Sequence, residues 1–325
     1  MYLAKRIGFY LITLYLAITL NFFLPRLMPG SAAAAVMARA QGRISPKALH
    51  ALEVAFGLHV HESLIAQYFS YVGNTLTGHL GISLTYFPEP VSVVIRETLP
   101  WTLFLVGTAT IIAFVVGTLL GIVVSWYRGR PIADSLPVTF TVMAAMPYFW
   151  VALLFLYVFG FLLGWFPLEH SIGSTVSPGL RLASIGSILY HSALPALSIV
   201  VTSMGGWILG MRNNMIGVLS EDYIKLAQIK GLPSRRVMLQ YAARNALLPS
   251  LTSMGMSLGF VVGGAVLTEI VFSYPGIGYA LYQAVTNQDY PLMQGIFLII
   301  VLAVLLANFI IDLLYVRLDP RTGEQ

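Results

Sequence analysis

The sequence contains no cysteine and few charged residues, since only 10% of its 325 residues are Asp, Glu, Lys or Arg. The lack of cysteine excludes disulfides and thiolate metal sites. Soluble domains carry roughly 25% charged residues, so this shortage, together with 58% hydrophobic residues and a mean hydropathy of +0.81, indicates an integral membrane protein. The net charge of +5 then reflects Lys and Arg on one side of the membrane rather than a nucleic-acid partner.

The sequence also lacks the residue patterns of common catalytic sites. It has no G-x-x-x-x-G-K-[ST] phosphate loop, so ATP hydrolysis would have to be supplied by another subunit. His59 and His61 are close in sequence, but they have no Cys or nearby Asp to complete a metal site, and a solvated loop is the better interpretation. We therefore predict no catalytic, cofactor-binding or metal-binding residues in this chain.

Six apolar segments are each long enough to cross a bilayer, which takes about 20 residues. The segments cover residues 7–24, 99–126, 136–163, 190–211, 246–272 and 292–316. With both termini in the cytoplasm, the inner loops hold twice as many Lys and Arg residues as the outer loops, and this orientation is predicted. No cleavage pattern directly follows the first segment, so we interpret it as an uncleaved helix and not as a signal peptide.

These segments define an all-α membrane protein with six transmembrane helices. We predict a first helix at 1–28, an extracytoplasmic insertion at 29–98 and a five-helix core at 99–325. The insertion holds plausible amphipathic helices, including the sequence LIAQYFSYVGNTL, but none is apolar enough to span.

A polar stretch of about thirty residues, 219–249, interrupts the apolar core. Ser220 is the expected N-cap of a short helix there, and Gly231 is its expected stop. One narrow face of this helix is apolar and is made by Leu219, Tyr223, Leu226 and Ala227. From spacing alone, docking onto a soluble partner and lying in the lipid headgroups are equally good interpretations of this helix.

Several motifs in this stretch resemble the cytoplasmic loop, often called the EAA loop, of permease subunits in binding-protein-dependent ABC importers. The motifs are Asp222-Tyr223-Ile224, Ala227, Lys230-Gly231-Leu232 and Arg244-Asn245-Ala246-Leu247-Leu248-Pro249. The resemblance is to the oligopeptide, dipeptide and nickel branch. It extends over nearly the whole chain through Leu27-Met28-Pro29-Gly30, Phe56-Gly57-Leu58, Gln67-Tyr68, Gly78-His79-Leu80-Gly81 and Gln288-Asp289-Tyr290-Pro291.

The resemblance implies a type I ABC importer permease fold in a prokaryotic plasma (inner) membrane. It implies that the loop 212–245 carries a coupling helix that sits in a cleft of an ATPase subunit. The residues that would couple to the ATPase are Glu221, Asp222, Tyr223, Lys225, Leu226, Ala227, Lys230 and Gly231. Here Lys225-Leu226-Ala227 replaces the usual Glu-Ala-Ala, while the small residues Ala227 and Gly231, which would permit close approach, are retained.

The same resemblance implies the partners and the cofactor. The partners are a second homologous permease, two cytoplasmic ATPase subunits and an extracytoplasmic substrate-binding protein. ATP and Mg would be bound by the ATPase subunits and not by this chain. Small peptides are the first expectation for the substrate, with oligosaccharides close behind and nickel chelates as a further possibility.

Two acids lie near the membrane interior, where ionisable residues suggest function. Glu269 precedes the turn at Pro275 and Gly276, and Asp312 lies near the end of the last span. Two isolated acids at opposite faces make a poor proton relay, so we expect Glu269 to bond backbone donors and Asp312 to pair with a neighbouring helix or an Arg. A secondary transporter, which would need paired charges or an inverted repeat, and a membrane enzyme are the alternatives of other classes.

Overall fold

The computed structural model describes residues 2–27, 63–174, 176, 179, 181–263 and 265–318, and the described part is almost entirely helical. The motifs at Met28–Gly30 and Phe56–Leu58, the close pair His59 and His61, and the closing residues after Leu318 lie outside this part, as do residues 29–62 of the expected insertion. Twelve α-helices are present in the described part. They are α1 (Tyr2–Phe23), α2 (Leu64–Leu76), α3 (Val91–Trp126), α4 (Pro131–Ala145), α5 (Tyr148–Phe155), α6 (Leu182–Leu219), α7 (Asp222–Ile229), α8 (Ser234–Arg236), α9 (Arg244–Phe260), α10 (Val266–Val271), α11 (Ile277–Thr286) and α12 (Tyr290–Leu318).

Five of the helical segments in the described part are long and apolar enough to cross a membrane, and a sixth is possible as a bent pair. The five are Arg6–Leu27, Val91–Trp126, Leu182–Leu219, Ser234–Gly263 and Tyr290–Ile310. The bent pair is Pro131–Ala145 with Tyr148–Leu162. These segments agree with the predicted all-α membrane protein of six spans.

The predicted span over residues 136–163 is not one continuous helix, because the chain bends by 94° between α4 and α5. The bend falls at Met146 and Pro147, which have extended backbone angles. A residue before proline is disfavoured in the helical region, and this explains why the helix ends there. After α5 the helix widens into a π-helix at Leu156–Leu162.

The predicted fifth span, 246–272, is also wrong in its bounds. Helical structure begins at Ser234 and passes through a π-helix, Val237–Ala243, into α9 without a loop. It ends at the 3-10 turn Val261–Gly263, and residues 266–271 form the separate helix α10. The basic segment after the short helix is therefore the start of a long helix.

The described chain divides into two compact units. The first contains the chain up to Thr102, residues 262–266 and the chain from Pro275 onwards. Within it α12 contacts α1 and α11. Buried Asp289 holds the start of α12, because its carboxylate accepts hydrogen bonds from the Ser83 hydroxyl, the Thr85 amide and the Leu292 amide.

The second unit contains residues 103–261 and 267–274 and is built around α6, which contacts α4, α5 and α9. Glycines set the closest approaches. A Cβ on Gly121 of α3 would lie 2.7 Å from Cβ of Met211, and one on Gly205 of α6 would lie 2.4 Å from the Phe140 carbonyl oxygen. Small residues let membrane helices approach in this way. Gly263, at the end of the fifth span, makes only an ordinary contact.

Candidate coupling site and central groove

The short helix α7 forms as expected, but its N-cap differs from the prediction. Ser220 closes the preceding helix α6, and its hydroxyl donates to the Gly217 carbonyl oxygen at 2.6 Å. Glu221 has the extended backbone of an N-cap instead, without a side-chain capping bond. The hydroxyl of Ser220 bonds to the preceding helix α6 and not to α7. The prediction that Ser220 is the N-cap of α7 is therefore wrong.

The C-terminus of α7 is closed by a Schellman motif centred on Gly231. Gly231 has a φ of +75°, its amide donates to Gln228 O at 2.9 Å, and the Leu232 amide donates to Ala227 O at 3.3 Å. These two bonds satisfy carbonyl groups that a helix end leaves free. The chain can then turn at once into the next long helix.

The inward face of α7 consists of Ile224 and Ala227, which are 1% and 3% exposed. They share one apolar cluster with Met211 and Met215 of α6 and with residues of the helical segment from Val237 onwards. Of the predicted apolar face, Ala227 is buried in the chain, whereas Tyr223 and Leu226 point outward. Ala227 packs against the chain's own core and does not lie on the outer surface.

The outward face of α7 carries a short apolar row. Tyr223, Leu226 and Ile229 recur every three residues and are 40%, 51% and 82% exposed. The charged residues Glu221, Asp222, Lys225 and Lys230 are exposed around this row. An apolar centre with a polar rim is the usual anatomy of a protein interface.

Two polar contacts fix the helix locally. The Asn245 amide nitrogen donates to the Tyr223 hydroxyl at 3.0 Å and ties α7 to the start of α9. Lys225 and Asp222 form an ion pair at 2.9 Å, but both side chains are mostly exposed, so this pair stabilises α7 little.

A groove between α6 and α9 lies in the same unit and holds about 690 Å³ of open space. Its lining includes Ser203, Gly206, Trp207, Asn214, Ser250 and Ser253. The Asn214 amide nitrogen crosses to α9 and donates to the Ala246 carbonyl oxygen and the Ser250 hydroxyl, both at 3.2 Å. A wall of small and polar side chains suits a hydrated path through a membrane protein.

Asn214 and Ser250 were not predicted from the sequence as groove residues. Trp207 also lines the groove, and it packs edge-to-face on Phe114 with ring centroids 5.1 Å apart. An amide side chain inside an apolar span was the available signal for Asn214, because polar groups there usually bond across helices.

Glu269 lies in α10 and is fully buried. Its backbone carbonyl oxygen accepts the Tyr274 amide at 2.8 Å. The Tyr274 hydroxyl is 3.0 Å from Ser192 Oγ, and burial raises the pKa of Tyr274 to about 12. Pro275 and Gly276 follow as a turn, and Gly276 is the N-cap of the unexpected helix α11.

Asp312 pairs with an arginine of another helix, as the sequence predicted. It is in ionic contact with Arg6 and accepts a hydrogen bond from the Tyr10 hydroxyl. The pairing is confirmed, and the structural or gating role of Glu269, Pro275, Gly276 and Asp312 in transport stays a prediction. No group of three or more potential metal ligands occurs in the described segments.

Residues 117–324 match the family model described as the binding-protein-dependent transport system inner membrane component. The chain is 34% identical to the di/tripeptide transport system permease protein of Pseudomonas aeruginosa, and the match covers all of this chain and 99% of that protein. It is 36% identical to a putative peptide permease protein of Brucella suis, over 84% of this chain and 83% of the relative.

A third relative is the oligopeptide transport system permease protein of Bacillus subtilis, which is 32% identical over 78% of this chain and 79% of its own length. These proteins are transport permeases and not enzymes, in agreement with the candidate membrane-spanning helices. The chain belongs to the family of inner membrane permease components of binding-protein-dependent transport systems.

Proposed function

We propose that this chain is one permease half of an ATP-driven peptide importer and that α7 transmits movement from a separate ATPase subunit. The outward row Tyr223, Leu226 and Ile229 carries the proposal, because it is a compact apolar surface with a charged rim beside a helix end closed by Gly231.

The alternative in which α7 lies on lipid headgroups fits these residues less well. Eight residues give a helix about 12 Å long, and its first turn carries the acid Asp222 directly after Glu221. Helices that bind anionic membranes are instead rich in Lys and Arg on the polar face. A cleft in a folded partner accommodates a short helix with mixed charge better.

The complete transporter would contain a second homologous permease, two ATPase subunits and an extracytoplasmic substrate-binding protein. Membership in a binding-protein-dependent family supports the presence of a binding protein and a separate energy source. ATP and Mg would be held by the ATPase subunits, and this chain would bind no cofactor. The numbers of permease and ATPase subunits are those that the resemblance to ABC importers, carried by the loop around Gly231, implies.

The mechanism would be alternating access driven from α7. Closure of the ATPase dimer displaces α7, and Ile224 and Ala227 transmit the displacement to the cluster that they share with α6 and the segment leading into α9. The groove between α6 and α9 then opens towards the binding protein. Hydrolysis of ATP resets the helices.

The peptide substrate is inferred from the relatives, whose names describe di/tripeptide, oligopeptide and peptide permeases. Oligosaccharides and nickel chelates are the alternatives within the same machinery. Aromatic side chains such as Trp207 suit a sugar ring as well as a peptide. A secondary transporter is disfavoured by family membership, because it requires no binding protein.

The coupling role is tested by replacing Leu226 with Arg and purifying the assembled complex. We expect the ATPase subunits to co-purify at a level reduced at least about tenfold, since a charge would enter an apolar contact. Ile132→Arg is the matched control, because Ile132 is also an exposed apolar residue, at the start of α4. If the ATPase subunits co-purify normally with the Leu226→Arg variant, α7 does not form the interface with them.

The substrate is tested separately with the cognate binding protein. Thermal shifts of that protein in the presence of di- and tripeptides, maltose-type oligosaccharides and nickel–histidine are compared. Stabilisation by peptides alone supports a peptide substrate. Stabilisation by a sugar or by the nickel chelate would identify that compound as the substrate instead, and the proposed contact of α7 with the ATPase would be unaffected.

A further inference from the structure

Helix α2 (Leu64–Leu76) has one apolar face that no described residue covers. Ile65, Phe69, Val72 and Leu76 recur at i, i+4, i+7 and i+11 and form one stripe along the helix. Ile65, Phe69 and Leu76 are 72%, 68% and 74% exposed, and Val72 is partly exposed. The helix contains no Asp, Glu, Lys or Arg.

The other side of α2 is held against the end of the first span. Tyr68 OH is 2.8 Å from Thr19 Oγ1, and the Tyr71 hydroxyl accepts from the Asn21 amide at 3.1 Å. Both tyrosine rings also contact the ring of Phe22. The exposed stripe is therefore attached to a membrane-crossing helix at the point where that helix leaves the apolar region.

A polar pocket with about 630 Å³ of open space lies beside this contact. Arg26 lines it together with Gln67, Tyr71, Asn74, His79 and Gln294, and no acid occurs among its described lining residues. The Arg26 guanidinium stacks on Phe22 at 3.6 Å from the ring centroid and donates to Phe22 O and Gln67 Oε1. It has further N–H groups, and the pocket has no described carboxylate to receive them.

We propose that α2 is an interfacial helix whose apolar stripe lies in the acyl chains of the leaflet where the first span ends, and whose Arg26 pocket holds the phosphate of a phospholipid. The end of the first span, which α2 contacts through Phe22, also carries exposed apolar side chains at Leu20, Phe23 and Leu24. Arginine binds phosphate oxygens in a fork geometry, and the headgroup phosphate lies at the depth where a spanning helix ends.

A bilayer suits this face better than a soluble binding protein. A docking surface for a protein that binds and leaves must remain in water between visits, and such surfaces are about as polar as the rest of a protein. Four apolar side chains in an uncharged helix would be costly to hydrate repeatedly. Both features are expected of a helix that stays at the membrane interface.

The stripe is tested with spin labels, because the chain has no native cysteine. Phe69→Cys, in the stripe, and Ala66→Cys, at an exposed position outside both the stripe and the pocket, are labelled in the full-length chain in nanodiscs of phosphatidylethanolamine and phosphatidylglycerol. We expect the label at 69 to collide mainly with oxygen and the label at 66 to be more accessible to a water-soluble nickel complex. A label at 69 that is open to nickel, or shielded from both reagents, overturns the proposal, as does shielding that requires added binding protein.

The pocket is tested by native mass spectrometry of the full-length chain titrated with phosphatidylglycerol. Arg26→Gln should weaken the tightest bound lipid about tenfold, which is the effect of one charge-assisted contact. Arg130→Gln, which removes a guanidinium stacked on Tyr127 without such a pocket, should leave the affinity unchanged. The label at 69 in the Arg26→Gln background shows whether α2 has stayed in place.

Two further titrations separate the possible sources of the phosphate. A phosphate-free diacylglycerol should bind at least about tenfold more weakly than phosphatidylglycerol, and inorganic phosphate alone should not displace the lipid. Displacement by inorganic phosphate would identify the pocket as a site for a soluble anion. Equal lipid binding by Arg26→Gln with α2 in place would overturn the pocket assignment.

Discussion

Asp312 in α12 is in ionic contact with Arg6 in α1, so the end of the last span lies beside the start of the first. A chain that enters and leaves the membrane on the same face crosses it an even number of times. The described part offers five candidate spans and one bent pair. We therefore predict that the pair α4 and α5 crosses the membrane as one span, which would give the described part an even number of crossings.

The contribution of this contact is measurable by a double-mutant cycle. Asp312→Asn and Arg6→Gln should each lower the thermal stability of the purified complex, and the double variant should lose less than the sum. We expect a coupling energy of about 1 kcal/mol for a partly exposed pair. Additive losses would mean that the two side chains stabilise the protein independently.

Gly231→Ala should weaken coupling between ATP hydrolysis and transport. A residue with a Cβ at a φ of +75° costs about 1 to 2 kcal/mol, so the Schellman motif would loosen and α7 would extend or fray. The measurement is the ratio of transported substrate to hydrolysed ATP in proteoliposomes. Gly217→Ala, at a position with open space around it, should leave this ratio unchanged, and equal effects would refute the special role of Gly231.

Gly205→Ala should destabilise the second unit by about 1 to 3 kcal/mol. The added methyl would meet the Phe140 carbonyl oxygen at 2.4 Å, and a backbone atom cannot move aside as a flexible side chain can. The control is Gly186→Ala in the same helix α6, where nothing lies within 4 Å and alanine should be neutral or slightly stabilising. Thermal unfolding in detergent compares the two variants, and equal midpoints would contradict the close approach.

Asn214→Ala should reduce transport while the complex still assembles. The change removes the hydrogen bonds from α6 to Ala246 and Ser250 of α9 and should cost about 1 kcal/mol. Asn213→Ala is the matched control. Asn213 is the preceding residue in the sequence, and its side chain is exposed and does not line the groove. Uptake of a labelled dipeptide by proteoliposomes distinguishes them, and a loss in both variants would point to a general effect on helix α6.

The sequence predicted the membrane class and the short helix because both depend on local composition. Charge scarcity marks the spans, and Gly231 followed by Pro233 marks a helix end wherever the helix packs. The inward face of α7 could not be predicted in the same way. Tyr223 and Ile224 are both apolar enough to be buried, and only the position of Met211 and Met215 decides that Ile224 turns inward.

The break at Pro147 and the groove residue Asn214 show a different limit. Leu136–Leu163 reads as one apolar run, since hydropathy does not register a single proline as a bend. Asn214 is one of two adjacent asparagines, and its role depends on a partner 32 residues away, the Ala246 carbonyl. Such partners are set by how α6 and α9 pack and not by the neighbouring sequence.

The apolar cluster behind α7 has a mechanical consequence. Ile224, Met215 and Val237 belong to three successive helical segments but occupy one close-packed volume, so none of them can shift without carrying the others. In the proposed mechanism α6, α7 and the helical segment from Val237 would therefore move together when an ATPase subunit displaces α7. Changes in the relative position of the two long helices would then be expected nearer Asn214, which bonds across the groove between them.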